Sequence, residues 1–136
     1  MTNRQQSFVS AAARVMLSAL FLVSGVGKLA APAATKAYIA SAGLPFPDLA
    51  YLVAVAVEVG LALALLLGYR TRIAAALMAV FAVTTAFAFH APFADPSQMT
   101  DFLKNLAISG GLLHVSAYAA GDFALDALRA RRSQTA

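Results

Sequence analysis

Four apolar runs, each close to twenty residues long, divide the chain at about 8–30, 49–68, 72–90 and 102–121. A helix needs roughly 20 mostly apolar residues to cross about 30 Å of hydrocarbon at 1.5 Å per residue. Ala, Leu and Phe outnumber β-branched residues in these runs, which favours helix over strand. The alternating ten-residue segments of a membrane barrel are absent. The pattern predicts four membrane-spanning helices.

The connections are unequal. Residues 69–71 form a minimal turn, whereas 31–48 and 91–101 are longer outer connections. In the first, a short helix is expected to begin near Pro32 and stop at Gly43, with Pro45 and Pro47 fixing an extended exit. Tyr38, Ile39 and Phe46 suit the membrane–water interface. Length beyond the minimum is used on the outer face, so a site is expected to open there. The first run also has a secretory-signal reading, because Ala31-Pro32-Ala33 loosely resembles a cleavage site. It is disfavoured by the length of the run and by Lys28 near its end.

Composition sharpens this picture. The chain has 136 residues, 61% hydrophobic and 12% charged, against about 45–50% and about 25% in soluble domains. That argues against a disordered chain, a nucleic-acid-binding domain and an ordinary soluble enzyme. The absence of cysteine excludes a disulfide framework, a cysteine-held iron–sulfur cluster and thiol exchange. All seven arginines (4, 14, 70, 72, 129, 131 and 132) fall on one side of the four-span arrangement, and Lys28, Lys36 and Lys104 on the other. The positive-inside rule then places both termini in the cytoplasm, with the basic tail as an anchor near anionic lipid. The expectation is a single all-α domain over 1–136, an integral membrane four-helix bundle.

Ionisable groups within spans cost about 2.5–3.5 kcal/mol at mid-helix, so each asks for a partner. Glu58 lies near the middle of the second run, between Val57 and Val59. Lys28, His90 and the pair Lys104-Asn105 sit near the outer ends of the other three. If those faces turn inward, the groups converge above Glu58. The simpler reading of each lysine is snorkelling to the head groups. Arg14 lies deeper on the inner side, four turns before Lys28, and is expected as a structural charge partner approaching Glu58 from below. Two histidines at different depths make no convincing metal pair. Gly60, Gly110 and Gly111 read as close-packing positions, and His114 has no assigned role.

Several of these residues occur together in a recognisable series. The first run carries Arg14, Phe21-Leu22, Ser24-Gly25 and Lys28-Leu29, and Gly43-Leu44-Pro45 follows. The second carries Glu58, Gly60 and Leu65-Leu66-Leu67-Gly68, shortly before Arg72. Phe89-His90 closes the third, and Phe102-Leu103-Lys104-Asn105-Leu106-Ala107 opens the fourth. The series resembles the DoxX family of small bacterial membrane proteins, from about residue 14 to 121. The resemblance implies a four-helix bundle of the bacterial inner membrane. It also implies links to quinone-connected oxidoreductase complexes and to oxidative-stress resistance, and it places Arg14, Lys28, Glu58, His90, Lys104 and Asn105 at the family's polar positions.

Two functions are expected on that basis. In the first, the chain is a quinone-linked oxidoreductase component: Lys28, His90, Lys104 and Asn105 donate to a quinone oxygen, Glu58 relays a proton, and a substrate, a soluble redox partner protein or another subunit supplies electrons. In the second, it is a non-enzymatic assembly or chaperone subunit that grips a partner protein. A homo-oligomer is compatible with both. A transporter is disfavoured, since one such bundle offers little room for alternating access.

Overall fold

A computed structural model describes residues 2–90, 96–118, 121 and 123–134, and among these the regular structure is entirely helical. Helix α1 spans Asn3–Ala30. It starts five residues before the apolar run because a capping box forms. The Gln5 amide donates to Thr2 Oγ1 at 3.3 Å, and the Thr2 amide donates to Gln5 Oε1 at 2.8 Å. Its buried positions, Ser7, Arg14, Ser18, Phe21 and Gly25, recur every three to four residues and form one stripe.

Proline and glycine set the next boundaries, as the sequence suggests. Pro32 opens α2 (Pro32–Ser41), and Gly43 follows it in the left-handed region at φ +77°. Pro47 opens α3 (Pro47–Val55), which continues through a π-helical turn at Ala56–Leu61 into α4 (Ala62–Leu67). The three segments form one 21-residue body, ended by Gly68 at φ +69°. A Cβ at Gly68 would collide with Arg14 Nη1 and lie 2.5 Å from Ala124 Cβ. Only glycine satisfies both the dihedral and the space.

Helices α5 (Thr71–His90), α6 (Pro96–Tyr118) and α7 (Leu125–Gln134) complete the fold. Among the described residues, three helical bodies are long and apolar enough to cross a membrane: Asn3–Ala30, Pro47–Leu67 and Thr71–His90. Helix α6 is also long, but its first turns are polar. It lies along α5, where alanines at 75, 79 and 82 leave room for close approach, and Ser109 Oγ donates to the Ala79 carbonyl at 3.2 Å. Phe21, Leu65, Met78 and Leu112 close the core between α1, α4, α5 and α6. Met16, Val23, Leu52 and Val80 point outward, more than 60% exposed, as lipid-facing side chains do.

Three expectations need correction. Residues 96–101, read as loop, are the first turns of α6, because Pro96 sits where its fixed φ and missing amide suit a helix start. The rest of that connection, 91–95, and the expected end of the last run at 119–120 lie outside the described residues. The exit between Pro45 and Pro47, expected to be extended, instead turns at Phe46, which takes the left-handed region at φ +55° to lead into α3. The basic tail is helical as α7.

Candidate functional site

The site grows from the π turn. An i→i+5 turn inserts one residue into an α-helix and re-aims the side chains around it, and such turns recur at functional sites. Here it carries Glu58, which is 6% exposed. Lys28 Nζ donates to Glu58 Oε1 at 3.0 Å, lies 2.8 Å from Oε2, and donates to Ser24 Oγ at 2.9 Å. Lys28 is about a quarter exposed, so the pair joins a buried carboxylate to an ammonium at the edge of water.

The pairing depends on close helix approach at Gly25, three residues before Lys28. A Cβ there would lie 2.7 Å from Val59 Cγ2 and 3.0 Å from Glu58 Cβ. The bare backbone therefore lets α1 rest on the π turn. One turn above, Tyr51 Oη donates to the Lys28 carbonyl at 3.3 Å.

Beside this pair is a cavity of about 660 Å³, walled by α1, α3, α5 and α6 and roofed by α2. Lys28, Glu58, His90 and Asn105 all line it, from four different segments; most of the remaining wall is alanine, aliphatic or aromatic. The roof is fixed at two points. Tyr38 of α2 stacks on Phe89 of α5, with centroids 5.3 Å apart and planes 11° apart. Lys36 pairs with Asp48 at 2.7 Å and lies 5.3 Å from the Tyr51 ring centroid. The hydrogen bond to Asp48 and its charge hold the Lys36 ammonium above the usual lysine range. His90 Nδ1 is 2.7 Å from Gln98 Oε1, a contact that ties the end of α5 to the first turn of α6. Asn105 Nδ2 donates to the Asp101 carbonyl at 3.1 Å.

Two residues singled out in the sequence lie elsewhere. Lys104 is 65% exposed and pairs with Asp101 at 2.9 Å, outside the cavity wall. Its spacing of three from Asp101 makes that local pair available without any convergence. Arg14 does not meet Glu58. It is 2% exposed at the opposite end of the fold, where Nη1 donates to the Leu65 and Leu66 carbonyls at 3.3 Å and Nη2 donates to the Phe123 carbonyl at 2.6 Å. The C-terminal carbonyls of α4 attract a cation that a distant carboxylate does not reach. His114 packs on Tyr118 at 4.6 Å.

Other features of the structure have weak sequence signals or none. Val57-Glu58-Val59-Gly60 looks like ordinary helix, so the π turn is silent. Tyr38 reads as an interface residue, and its stack on Phe89 at the cavity wall has no sequence signal. Thr84 and Thr85, which also line it, were legible only as two hydroxyls in an apolar run. Asp126 is a further surprise: it accepts from the Arg70 and Thr71 amides at 2.9 and 2.8 Å and from Thr71 Oγ1 at 2.8 Å, capping α5 from α7. Burial pushes its pKa up, but hydrogen bonds from Thr71 and Arg70 and the charge of Arg129 outweigh this and hold it below the usual carboxylate range.

No solved structure matches the chain. Inner membrane protein YqjF of Escherichia coli (strain K12) is 37% identical over 116 residues, covering 85% of this chain and 88% of the relative. Inner membrane protein YphA of the same organism is 33% identical over 119 residues, covering 84% and 85%. Together with the three apolar helices, these relatives make this chain a multi-pass inner membrane protein. The DoxX family profile matches residues 9–91, from α1 through α5, which takes in Lys28, Glu58 and His90 and stops before Lys104 and Asn105. The protein that builds a buried Lys28–Glu58 pair beside a roofed cavity belongs to the DoxX family.

Proposed function

We propose that the protein is a quinone-linked component of a membrane redox or oxidative-stress system. In this reading α6 is a fourth span and completes a four-helix bundle. Both termini are cytoplasmic, because Arg70, Arg72, Arg129, Arg131 and Arg132 gather at the end opposite Lys28, Lys36 and Lys104. The cavity then opens toward the outer face.

One observation carries the proposal: a largely apolar cavity of about 660 Å³ places the Lys28–Glu58 pair, His90 and Asn105 on its wall. Cavities of roughly 300–1,000 Å³ with a few convergent polar groups suit small apolar ligands. A quinone ring is apolar with two carbonyl oxygens, so donors at Lys28 and Asn105 match it, and Tyr38 and Phe89 offer aromatic faces. When bound, the quinone accepts electrons and protons. Lys28 holds a donor proton at Nζ between Glu58 and the cavity, and Glu58, on the cavity wall, is the group that would take up and hand on a proton there. The electron donor is a partner protein or another substrate.

A second reading, an assembly subunit, has one observation in its favour: the same ion pair ties α1 to the π turn. Glu58→Gln separates the two. Under the redox reading, quinone-dependent turnover by the membrane complex falls at least tenfold while the purified yield stays near that of the parent. Unchanged turnover overturns the proton-relay role, and lost yield with a co-purifying partner supports assembly.

A further inference from the structure

The opposite end of the molecule, which the quinone reading does not use, carries a second arrangement of charged groups. The turn between α4 and α5 and the start of α7 enclose an open groove of about 500 Å³, with Arg70, Arg72, Ile73 and Asp126 on its wall. Arg129, three residues and nearly one turn after Asp126, places its guanidinium 4.7 Å from the Tyr69 ring centroid. Hydrogen bonding and charge from Arg129, and then from Arg70, hold the Tyr69 phenol below its usual range. Arg70 is not a glycine, yet it occupies the left-handed region at φ +45°. Its amide is captured there by Asp126. The groove's carboxylate is engaged with backbone and hydroxyl donors, and two arginines, Arg70 and Arg72, line the groove.

We propose that this groove binds the phosphate of an anionic phospholipid, with Arg70 and Arg72 at the head group and the acyl chains along α5. Arginine forks suit phosphate oxygens. The apolar half of the ligand has a place as well. Ile73 lines the groove, and Leu77, one turn deeper on α5, shares its outward face; both are at least half exposed. Basic groups above an apolar strip at the end of two membrane-length helices match a lipid better than a free anion. Asp126 holds α7 in place and thereby sets the groove's width.

The test is native mass spectrometry of the full chain in detergent. It is titrated with dioleoyl-phosphatidylglycerol or dioleoyl-phosphatidylcholine, at a salt concentration high enough to screen diffuse attraction. The proposal expects retained phosphatidylglycerol in preference to phosphatidylcholine. Arg70→Gln with Arg72→Gln weakens it more than about tenfold. Arg131→Gln with Arg132→Gln, which removes the same charge outside the groove wall, weakens it less than about threefold. Equal loss in both double variants, or no preference between the lipids, overturns the site. Displacement of the lipid by excess inorganic phosphate, with phosphate itself retained, overturns the lipid assignment in favour of a small-anion site. Should the first double variant fail to fold, Arg72→Gln reads the same groove, and unchanged phosphatidylglycerol retention there overturns the proposal.

Discussion

Removing either member of the Lys28–Glu58 pair should have unequal consequences, because the two ends of the pair sit in different solvents. Lys28→Met strands a carboxylate that is 6% exposed beside an apolar cavity. Breaking a buried pair in this way costs about 3–5 kcal/mol, and the lower end applies here because Lys28 itself is about a quarter exposed. Glu58→Gln strands the ammonium instead, which can extend toward the head groups, so its cost is nearer about 1 kcal/mol. With both changes made, no charge is left unpaired, and the double variant should lie within about 1–2 kcal/mol of the parent. The cycle therefore predicts a coupling on the order of 2–3 kcal/mol.

The same measurement on Arg14→Met with Glu58→Gln should give additive effects, within about 0.5 kcal/mol, since Arg14 bonds carbonyls at the other end of the helices. Arg14→Met alone should be costly, about 3 kcal/mol, through its lost charged hydrogen bonds. Reversible unfolding of purified protein in mixed micelles, with increasing denaturing detergent, supplies all the values. Coupling below about 0.5 kcal/mol for Lys28 and Glu58, or above about 1 kcal/mol for Arg14 and Glu58, would refute the assignment of partners.

Three further outcomes follow from other contacts. Gly25→Ala should destabilise by about 1–3 kcal/mol in the same assay and loosen ligand retention, because its Cβ strikes Val59 and Glu58. Gly27→Ala, with nothing within 4 Å of its Cβ, should be neutral or slightly stabilising; equal effects at both glycines contradict the close approach. The Asp126 carboxylate has a lower pKa folded than unfolded, so its contribution is complete above the unfolded value of about 3.9 and is lost as pH falls through the lower folded one. Hydrogen exchange at the Thr71 amide should accelerate below about pH 4 in the parent, whereas Asp126→Asn should show fast exchange at neutral pH with no such transition. Tyr38→Ala should remove the stack on Phe89 and raise proteolytic cleavage within α2; unchanged cleavage argues that Lys36–Asp48 alone holds the roof.

The sequence was informative where structure follows from local rules. Helix limits at Pro32, Pro47 and Gly68 come from a missing amide, a fixed φ and a left-handed cap, all properties of single residues. Glu58 and Lys28 were legible as candidates because a charge in an apolar run requires a partner wherever the helices turn. What remained hidden depends on the third dimension. Helical rotation decides that Lys104 meets Asp101 outside the cavity while Asn105, one residue on and about 100° around, lines it. Arg14 illustrates the other gap: counting carboxylates overlooks backbone carbonyls, and the end of α4 and Phe123 supply three. Asp126 lies 55 residues from the amide it caps, a distance over which no local pattern speaks.

The central claim is that the cavity beside Lys28 and Glu58 holds a quinone. The most direct measurement is mass spectrometry of an organic extract from gently purified protein, beside the same extract from Ala88→Trp, which places an indole on the cavity wall. Near-stoichiometric quinone is expected with the parent, and loss of most of it with Ala88→Trp at matched folding. Equal quinone in both preparations, or none above that of an unrelated inner membrane protein, contradicts it.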